Sequence, residues 1–328
     1  MSEHIHTKML IIGSGPAGYT AAIYAARANL NPVQVLGMEP GGQLTITTEV
    51  ENYPGFADPI QGPWLVEQMK AQAENVGTKT IHDMITEVDF SSRPYKAKAE
   101  SGTEFTADTI VICTGAKARW LGLDSEQKFR NMGVSACATC DGFFFRGKKV
   151  AVIGGGNSAV EEALFLANLC EKVTLVHRRD ELRAEKIMQQ RLFDNPKIDI
   201  LWDNVVEEII GVEVGQGDVP GVTGLRTKNV KTNETTEIQL DGVFVAIGHD
   251  PATELFKDKL EMDGEGYLLT APDSTATNIP GVYAAGDVKD KTYRQAITAA
   301  GMGCMAALEA DKYLADLEAN EGHKQAAE

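Results

Sequence analysis

The stretch "SACATCDGFFF", residues 135–145, sets Cys137 and Cys140 two residues apart and follows them with Asp141 and then Phe143, Phe144 and Phe145. Two thiols at this spacing can share a metal ion, close a small structural loop, or pass electrons as a reversible dithiol–disulfide couple. A structural zinc site takes four ligands, from a second such pair or from closely spaced histidines. The other cysteines, Cys113, Cys170 and Cys304, are scattered singly and no histidine doublet stands near, so the metal reading fails on ligand count. A purely structural bridge gains little, because closing so short a loop removes little chain entropy. Five cysteines, an odd count, do not make a secreted disulfide framework. The redox couple remains, the reading that C-x-x-C takes in a cytosolic chain beside βαβ units. Asp141 raises the neighbouring thiol's pKa by like-charge repulsion, which does not help a nucleophile. It makes sense as a group that exchanges a proton with the dithiol, the more so if the phenylalanines desolvate it; the alternative is a helix or turn cap.

A redox pair needs a source of electrons, and the chain carries two nucleotide-type turns. "KMLIIGSGPAGYTAAIYAARANL" and "KKVAVIGGGNSAVEEALFLANLC" share one order of parts: a short buried strand, a glycine turn and an alanine-rich helix. Gly13, Gly15 and Gly18 form G-x-G-x-x-G; Gly154, Gly156 and Ala159 form G-x-G-x-x-A. The first glycine allows the sharp turn, the second lets backbone amides approach a pyrophosphate, and the third position stays small so that helix and strand touch. A lone motif of this kind can serve packing only. Here each follows a strand-like run and leads to a second strand, "PVQVLGME" or "KVTLVHRR", so two dinucleotides are expected.

The charge after that second strand distinguishes them. In the first unit Glu39 lies 21 residues after Gly18, placed to accept hydrogen bonds from ribose hydroxyls and to repel a phosphate. In the second unit the place is held by His177, Arg178 and Arg179, with Arg183 one helical turn further on. Guanidinium forks suit the 2′-phosphate of NADPH. The competing reading is a solvated face paired with Asp180, Glu181 and Glu185; the position behind a glycine turn favours NADPH. Near the C-terminus "PGVYAAGDVKDKTYRQAITAAGMGCMAALEA" reads as a strand, a stop at Gly286 and Asp287, a loop, and a long helix from about Arg294, Gln295 and Ala296. The aspartate can take a ribityl hydroxyl, and the helix start offers positive potential to a flavin near N1 and the C2 oxygen; the alternative is a turn followed by a packing helix.

At 328 residues the chain has room for two domains, and 43% hydrophobic with 24% charged residues is ordinary globular composition. The formal charge of −16 repels nucleic acid and anionic membrane surfaces. No apolar run approaches the length of about 20 residues that spans a bilayer, and the N-terminal run leads into a glycine turn, so a cytoplasmic chain without signal peptide or membrane helix is expected. "ADTIVICTGA" and "LDGVFVAIGH" each end a unit with an aspartate, an apolar strand and a glycine. That repetition implies an α/β chain in which the second unit interrupts the first. "GVEVGQGDVPGVTGLRTKNVKTNETTEIQL" reads as antiparallel strands joined by glycine-rich turns.

"GSGPAGYTAA", "EPGGQLTITTEVENYPG", "ACATCDGFFF", "GGGNSAVEEA", "HRRDELRAEK" and "AAGDVKDKTYRQAITAAG" together resemble the bacterial-type, low-molecular-weight thioredoxin reductases, and the resemblance runs through nearly the whole chain. It implies two Rossmann-like dinucleotide-binding domains, each three-layer ββα, with the NADPH domain (117–247) inserted into an FAD domain (1–116 and 248–328) and hinges near 115–120 and 244–250. It also implies a homodimer that reduces the disulfide of thioredoxin. Carried over by motif, Gly13, Gly15, Pro16, Gly18, Glu39, Gln43, Asn52, Gly286, Asp287, Arg294, Gln295 and Ala296 would hold FAD. Gly154, Gly156, Asn157, Ser158, Ala159, His177, Arg178, Arg179 and Arg183 would hold NADPH. Cys140 would face the flavin, and Cys137 would exchange with thioredoxin. The rival readings are an NADPH–flavin reductase of another dithiol protein and a non-enzymatic nucleotide-binding module.

Overall fold

A computed structural model describes residues 3–47, 49–213 and 221–325. The chain forms two compact units, one of Met1–Lys117 with Asp250–Glu328 and the other of Ala118–His249. The crossings fall one or two residues from the expected bounds of the insertion.

The first unit opens with strand β1 (His4–Ile12) and helix α1 (Pro16–Arg27), then β2 (Val33–Val35), helix α2 (Gly62–Asn75) and β3 (Lys79–Ile81). A hairpin of β4 (Ile85–Asp89) and β5 (Tyr95–Ala99) precedes β6 (Glu104–Ile112). The strands β3, β2, β1 and β6 lie side by side in parallel. Residues alternate between two buried faces, as they must when a parallel sheet is covered on both sides. Met9 and Ile11 pack with the alanines of α1, whereas Leu10 and Ile12 pack with Val33, Ile112, Tyr95 and Phe256.

The chain leaves through β7 (Ala116–Ala118). In the second unit β8 (Val134–Ser135) leads into the short helix α3 (Ala138–Asp141), followed by β9 (Lys149–Ile153), α4 (Asn157–Leu169), β10 (Lys172–Val176), α5 (Lys186–Phe193) and β11 (Ile198–Leu201). Three antiparallel strands follow, β12 (Asn204–Val212), β13 (Gly221–Asn229) and β14 (Thr235–Gln239). They match the expected glycine-rich antiparallel segment, whose residues 214–220 lie outside the described ones. The strand β15 (Gly242–Val245) completes a parallel sheet of order β8-β15-β9-β10-β11. Val150 and Val152 face the helices, and Ala151, Val243 and Val245 face Ile209, Val222 and Leu225 of the antiparallel layer. Helices, parallel sheet and antiparallel sheet are the three layers of a ββα domain. The chain returns through β16 (His249–Pro251), which pairs with β7, and the first unit closes with β17 (Val282–Ala284) and helix α6 (Ala296–Gln325).

β6 shows how the return is accommodated. Its first half pairs with β5, Ala107 opposite Tyr95, while its second half pairs with β17, Ile112 opposite Ala284.

Candidate functional site

The two glycine turns are built alike, down to single hydrogen bonds. In the first unit Ile12 stands in register with both Val35 and Ile112, and Gly13 donates its N–H to the Val35 carbonyl at 2.9 Å. In the second, Ile153 stands in register with Val176 and Val245, and Gly154 donates to the Val176 carbonyl at 3.1 Å. Gly13 has φ +111°, and a Cβ there would lie 2.3 Å from the Cys113 carbonyl oxygen; one at Gly154 would lie 2.4 Å from that of Ala246. A Cβ at Gly18 would lie 2.3 Å from the Gly13 oxygen, so helix and turn touch as the motif requires. Around Gly15 and Gly156 a Cβ would meet nothing within 4 Å. These two glycines leave open space at the N-termini of α1 and α4, and neither helix has an acidic residue in its first turn to repel an anion.

Beyond the first turn, Glu39 stands exposed four residues past β2, with Lys117 at 3.9 Å. Gln43 is exposed on a helical turn, Gly42–Ile46. Asn52 donates to the Gln295 side-chain oxygen at 3.4 Å, so the structure brings these two predicted residues together. Gly286 has φ +80°, and its bare Cα lets the turn lie against Ala17 of α1. The Asp287 carboxyl is pushed up to about 7 by burial and by neighbouring Asp290, with Arg294 opposing. A carboxyl strained in this way is relieved by hydroxyl donors, and the ribityl chain of FAD carries them.

In the second unit Arg178, Arg179 and Arg183 are exposed, and among the described residues no carboxylate lies within ion-pairing distance of any of them. Asp180, the expected partner in the solvated-face reading, pairs instead with Lys231. Arg183 is not one helical turn beyond Arg179. It sits on an irregular segment that precedes α5, because its N–H is committed to the Gly155 carbonyl at 2.7 Å and its neighbours Leu182 and Ala184 are buried. Asn157 fixes the same segment by accepting the Glu185 N–H at 2.8 Å. Ser158 and Ala159 follow in the first turn of α4, Ala159 fully buried. His177 is 5% exposed and lies under the turn: a Cβ on Gly155 would meet its ring at 2.2 Å. Burial pulls its pKa below the ordinary histidine value, so the ring is neutral near pH 7 and supports the turn rather than offering charge.

Cys137 and Cys140 form a disulfide, with Cys113, Cys170 and Cys304 free. Ser135, the end of β8, is held in register with Phe244. Its hydroxyl accepts the Cys137 N–H at 3.0 Å and donates to Asp141 Oδ2 at 2.5 Å. Burial raises the Asp141 carboxyl above the usual range, and the Ser135 hydrogen bond opposes the rise. The desolvation does not come from all three phenylalanines. Phe143 and Phe144 are 53% and 37% exposed, and Phe145 turns away to pack against Phe244 at 5.3 Å between ring centroids. Gly142, beside the pair, is where the turn presses on α4, with Leu166 at 2.9 Å from a hypothetical Cβ.

The family model for pyridine nucleotide-disulphide oxidoreductases matches residues 7–303. A thioredoxin reductase of Rickettsia bellii is 64% identical over 310 residues, covering 94% of this chain and 99% of that protein. Among solved structures, thioredoxin reductase from Giardia duodenalis aligns with TM-score 0.90 at 41% identity, over 94% of this chain and 99% of the other. The Streptococcus pyogenes thioredoxin reductase aligns with TM-score 0.87 at 43% identity, over 95% and 99%. The chain belongs to the thioredoxin reductase family. As a member it is an oxidoreductase that uses NADPH and FAD, and the open glycines and the carboxyl awaiting donors fit both groups.

Several supports of this thioredoxin reductase site were not singled out in the sequence. Gln34, a polar residue in an otherwise apolar strand, is fully buried and donates to the Gly13 carbonyl at 2.9 Å. Ser14 donates to the Leu36 carbonyl at 2.5 Å and accepts the Gly41 N–H at 3.0 Å, tying the turn to the loop after β2. Asp290 accepts the N–H groups of Thr292, Tyr293 and Arg294 and so shapes the approach to α6. Of these, only the lone Gln in "PVQVL" left a signal in the sequence.

Proposed function

We propose that this chain reduces the disulfide of thioredoxin with electrons from NADPH, and that the Cys137–Cys140 pair is the last carrier before the partner. The observation that carries the reading is a disulfide on a half-exposed turn, held by Ser135 beside a carboxyl of raised pKa. FAD, when bound, takes hydride from NADPH and passes the electron pair on to a disulfide. Gly13, Gly15, Pro16 and Gly18 hold its pyrophosphate, Glu39 its adenosine ribose, and Gln43, Asn52, Gly286, Asp287, Arg294, Gln295 and Ala296 the remainder. For NADPH, Gly154, Gly156, Asn157, Ser158 and Ala159 form the pyrophosphate turn, His177 supports it, and Arg178, Arg179 and Arg183 take the 2′-phosphate.

In the dithiol state the Cys137 thiolate attacks one sulfur of the thioredoxin disulfide, and the other leaves as a thiolate. Cys140 then attacks the Cys137 sulfur of the mixed disulfide, which restores the pair and releases thioredoxin as a dithiol. Asp141, protonated more readily than an ordinary carboxyl, supplies and recovers the proton at the Cys140 sulfur. Phe143 and Phe144 offer apolar surface beside the pair, where a protein partner docks.

The cysteines and the NADPH residues belong to one unit and the FAD residues to the other, so the two electron transfers take turns. The alternation is a rotation about the connecting segments near 115–120 and 244–250, beside which β7 pairs with β16. The homodimer and the cytoplasmic location are what the family resemblance implies. Separately, no helix among the described residues is long and apolar enough to cross a membrane. The exchange step is tested by trapping. Reduced Cys140→Ser enzyme mixed with a thioredoxin that keeps one of its two disulfide cysteines, activated as a mixed disulfide with an aromatic thiol that departs on exchange, should give a covalent adduct on a non-reducing gel, and Cys137→Ser enzyme should not. An adduct formed by the second variant alone would reverse the roles of the two cysteines.

A further inference from the structure

Asp180 follows Arg179 and stands three residues before Arg183, in the middle of the basic segment. Left alone, its carboxylate would pair with a neighbouring guanidinium or repel a phosphate. The structure gives it another partner. Lys231 Nζ lies 2.8 Å from Asp180 Oδ2 and 3.0 Å from Asp203 Oδ2. Lys231 comes from the turn between β13 and β14 and is placed there by Asn229, whose side-chain oxygen accepts the N–H groups of Lys231 at 2.9 Å and Thr232 at 3.0 Å.

Asp203 laces that turn to the basic segment. It adopts φ +56°, donates its N–H to the Arg179 carbonyl at 3.2 Å, and accepts the Val230 N–H at 2.7 Å. Its side chain is only 16% exposed, so the ammonium is anchored on the inner side and reaches outward to Asp180. As a stability device the outer pair is weak, because both of its side chains are largely exposed. Its consequence lies in the charges it leaves behind: a cancelled Asp180 and three arginines without a carboxylate partner among the described residues.

We propose that Lys231 is a positioning residue for nucleotide specificity: by engaging Asp180 it keeps Arg178, Arg179 and Arg183 free for the phosphate on the adenosine ribose. The inference rests on the reading of those arginines as the 2′-phosphate site. Without Lys231, Asp180 either pairs with Arg179 or Arg183, or stays as an uncompensated anion near the bound dianion. At separations of roughly 8–10 Å in nearly aqueous surroundings, that weakens a ligand bearing the ribose phosphate on the order of 2- to 10-fold, most at low salt. A ligand lacking that phosphate is nearly indifferent.

The test is calorimetric titration of the holoenzyme with 2′,5′-ADP and with 5′-AMP, which differs from it only by lacking the ribose phosphate, at low ionic strength; it needs no turnover. Lys231→Met should weaken 2′,5′-ADP by that factor and leave 5′-AMP within about 1.5-fold, since only the ribose phosphate feels the added charge. Lys231→Arg, and Lys231→Met combined with Asp180→Asn, should both restore the wild-type affinity. Equal weakening of both ligands would make Lys231 a mere support of the turn and overturn the proposal, as would unchanged binding or a double variant as weak as Lys231→Met. A wild-type enzyme that does not distinguish the two ligands would remove the arginine reading and this inference together.

Discussion

Replacing Asp287 by Asn removes a titrating carboxyl from the strand end beside Gly286 while keeping its shape. In the flavin-free protein this carboxyl is raised from 3.8 to about 7, chiefly by burial. A raised carboxyl means that the folded state binds more protons than the unfolded state between those two values, so stability falls as pH rises through the window. At about 1.4 kcal/mol per pKa unit the full cost of ionising Asp287 is about 4 kcal/mol, and water at the rim of this partly buried group reduces it to about 1–3 kcal/mol. Urea unfolding of the flavin-free wild type and Asp287→Asn, from pH 4 to 8, isolates the effect as a difference between the two curves. The proteins should be equally stable near pH 4, diverge through pH 5 and 6, and settle above pH 7 with the variant more stable by about 1–3 kcal/mol. The same variant should retain FAD less well, because an amide accepts ribityl hydroxyls more weakly than a carboxylate. Parallel stability curves, or a variant less stable at pH 8, would refute the claim that burial strains this carboxyl.

Asp141→Asn should leave reduction of bound flavin by NADPH nearly intact in rapid-mixing absorbance traces while slowing thioredoxin turnover; equal loss in both steps would contradict the proton-exchange role. Replacing Arg178 and Arg179 together by Ala should raise the KM for NADPH roughly 10- to 100-fold and leave that for NADH nearly unchanged. An unaltered ratio of the two would return the arginines to a solvated face. Gly13→Ala forces a side chain into left-handed backbone space 2.3 Å from a carbonyl and should cost about 3 kcal/mol or more in urea unfolding. Gly15→Ala meets nothing within 4 Å and should unfold like wild type yet lose flavin, measured by absorbance after gel filtration. Equal destabilisation by both would show that the second glycine serves packing rather than ligand approach.

The repeated plan was legible because each unit writes its strand, glycine turn and helix in contiguous residues. Gly13 and Gly154 could be placed from their neighbours alone, and the structure gives both the same carbonyl contact. The C-x-x-C pair was legible for the same reason. What stayed hidden was carried by distant chain. Ser135 meets Asp141 from the end of β8, and β8 is held in the sheet by β15, a strand far downstream. Lys231 reaches Asp180 across 51 residues of sequence, so the basic segment read alone offered Asp180 to its own arginines. Arg183 was placed on a helix by spacing, but a backbone hydrogen bond to Gly155 holds that segment irregular. Phe143 and Phe144 looked like shielding for Asp141 because they are apolar and near in sequence; a helical turn pointing them outward is not visible in residue type.

NADPH consumption by the purified flavoprotein, with thioredoxin as the varied substrate, tests the central claim most directly. Oxidation of NADPH should rise and saturate with oxidised thioredoxin, yield two thiols for each NADPH consumed, and vanish in Cys137→Ser while that variant's flavin is still bleached by NADPH. NADPH oxidation indifferent to thioredoxin, or full thioredoxin reduction by Cys137→Ser, would contradict the assignment of the pair as the route of electrons to the partner.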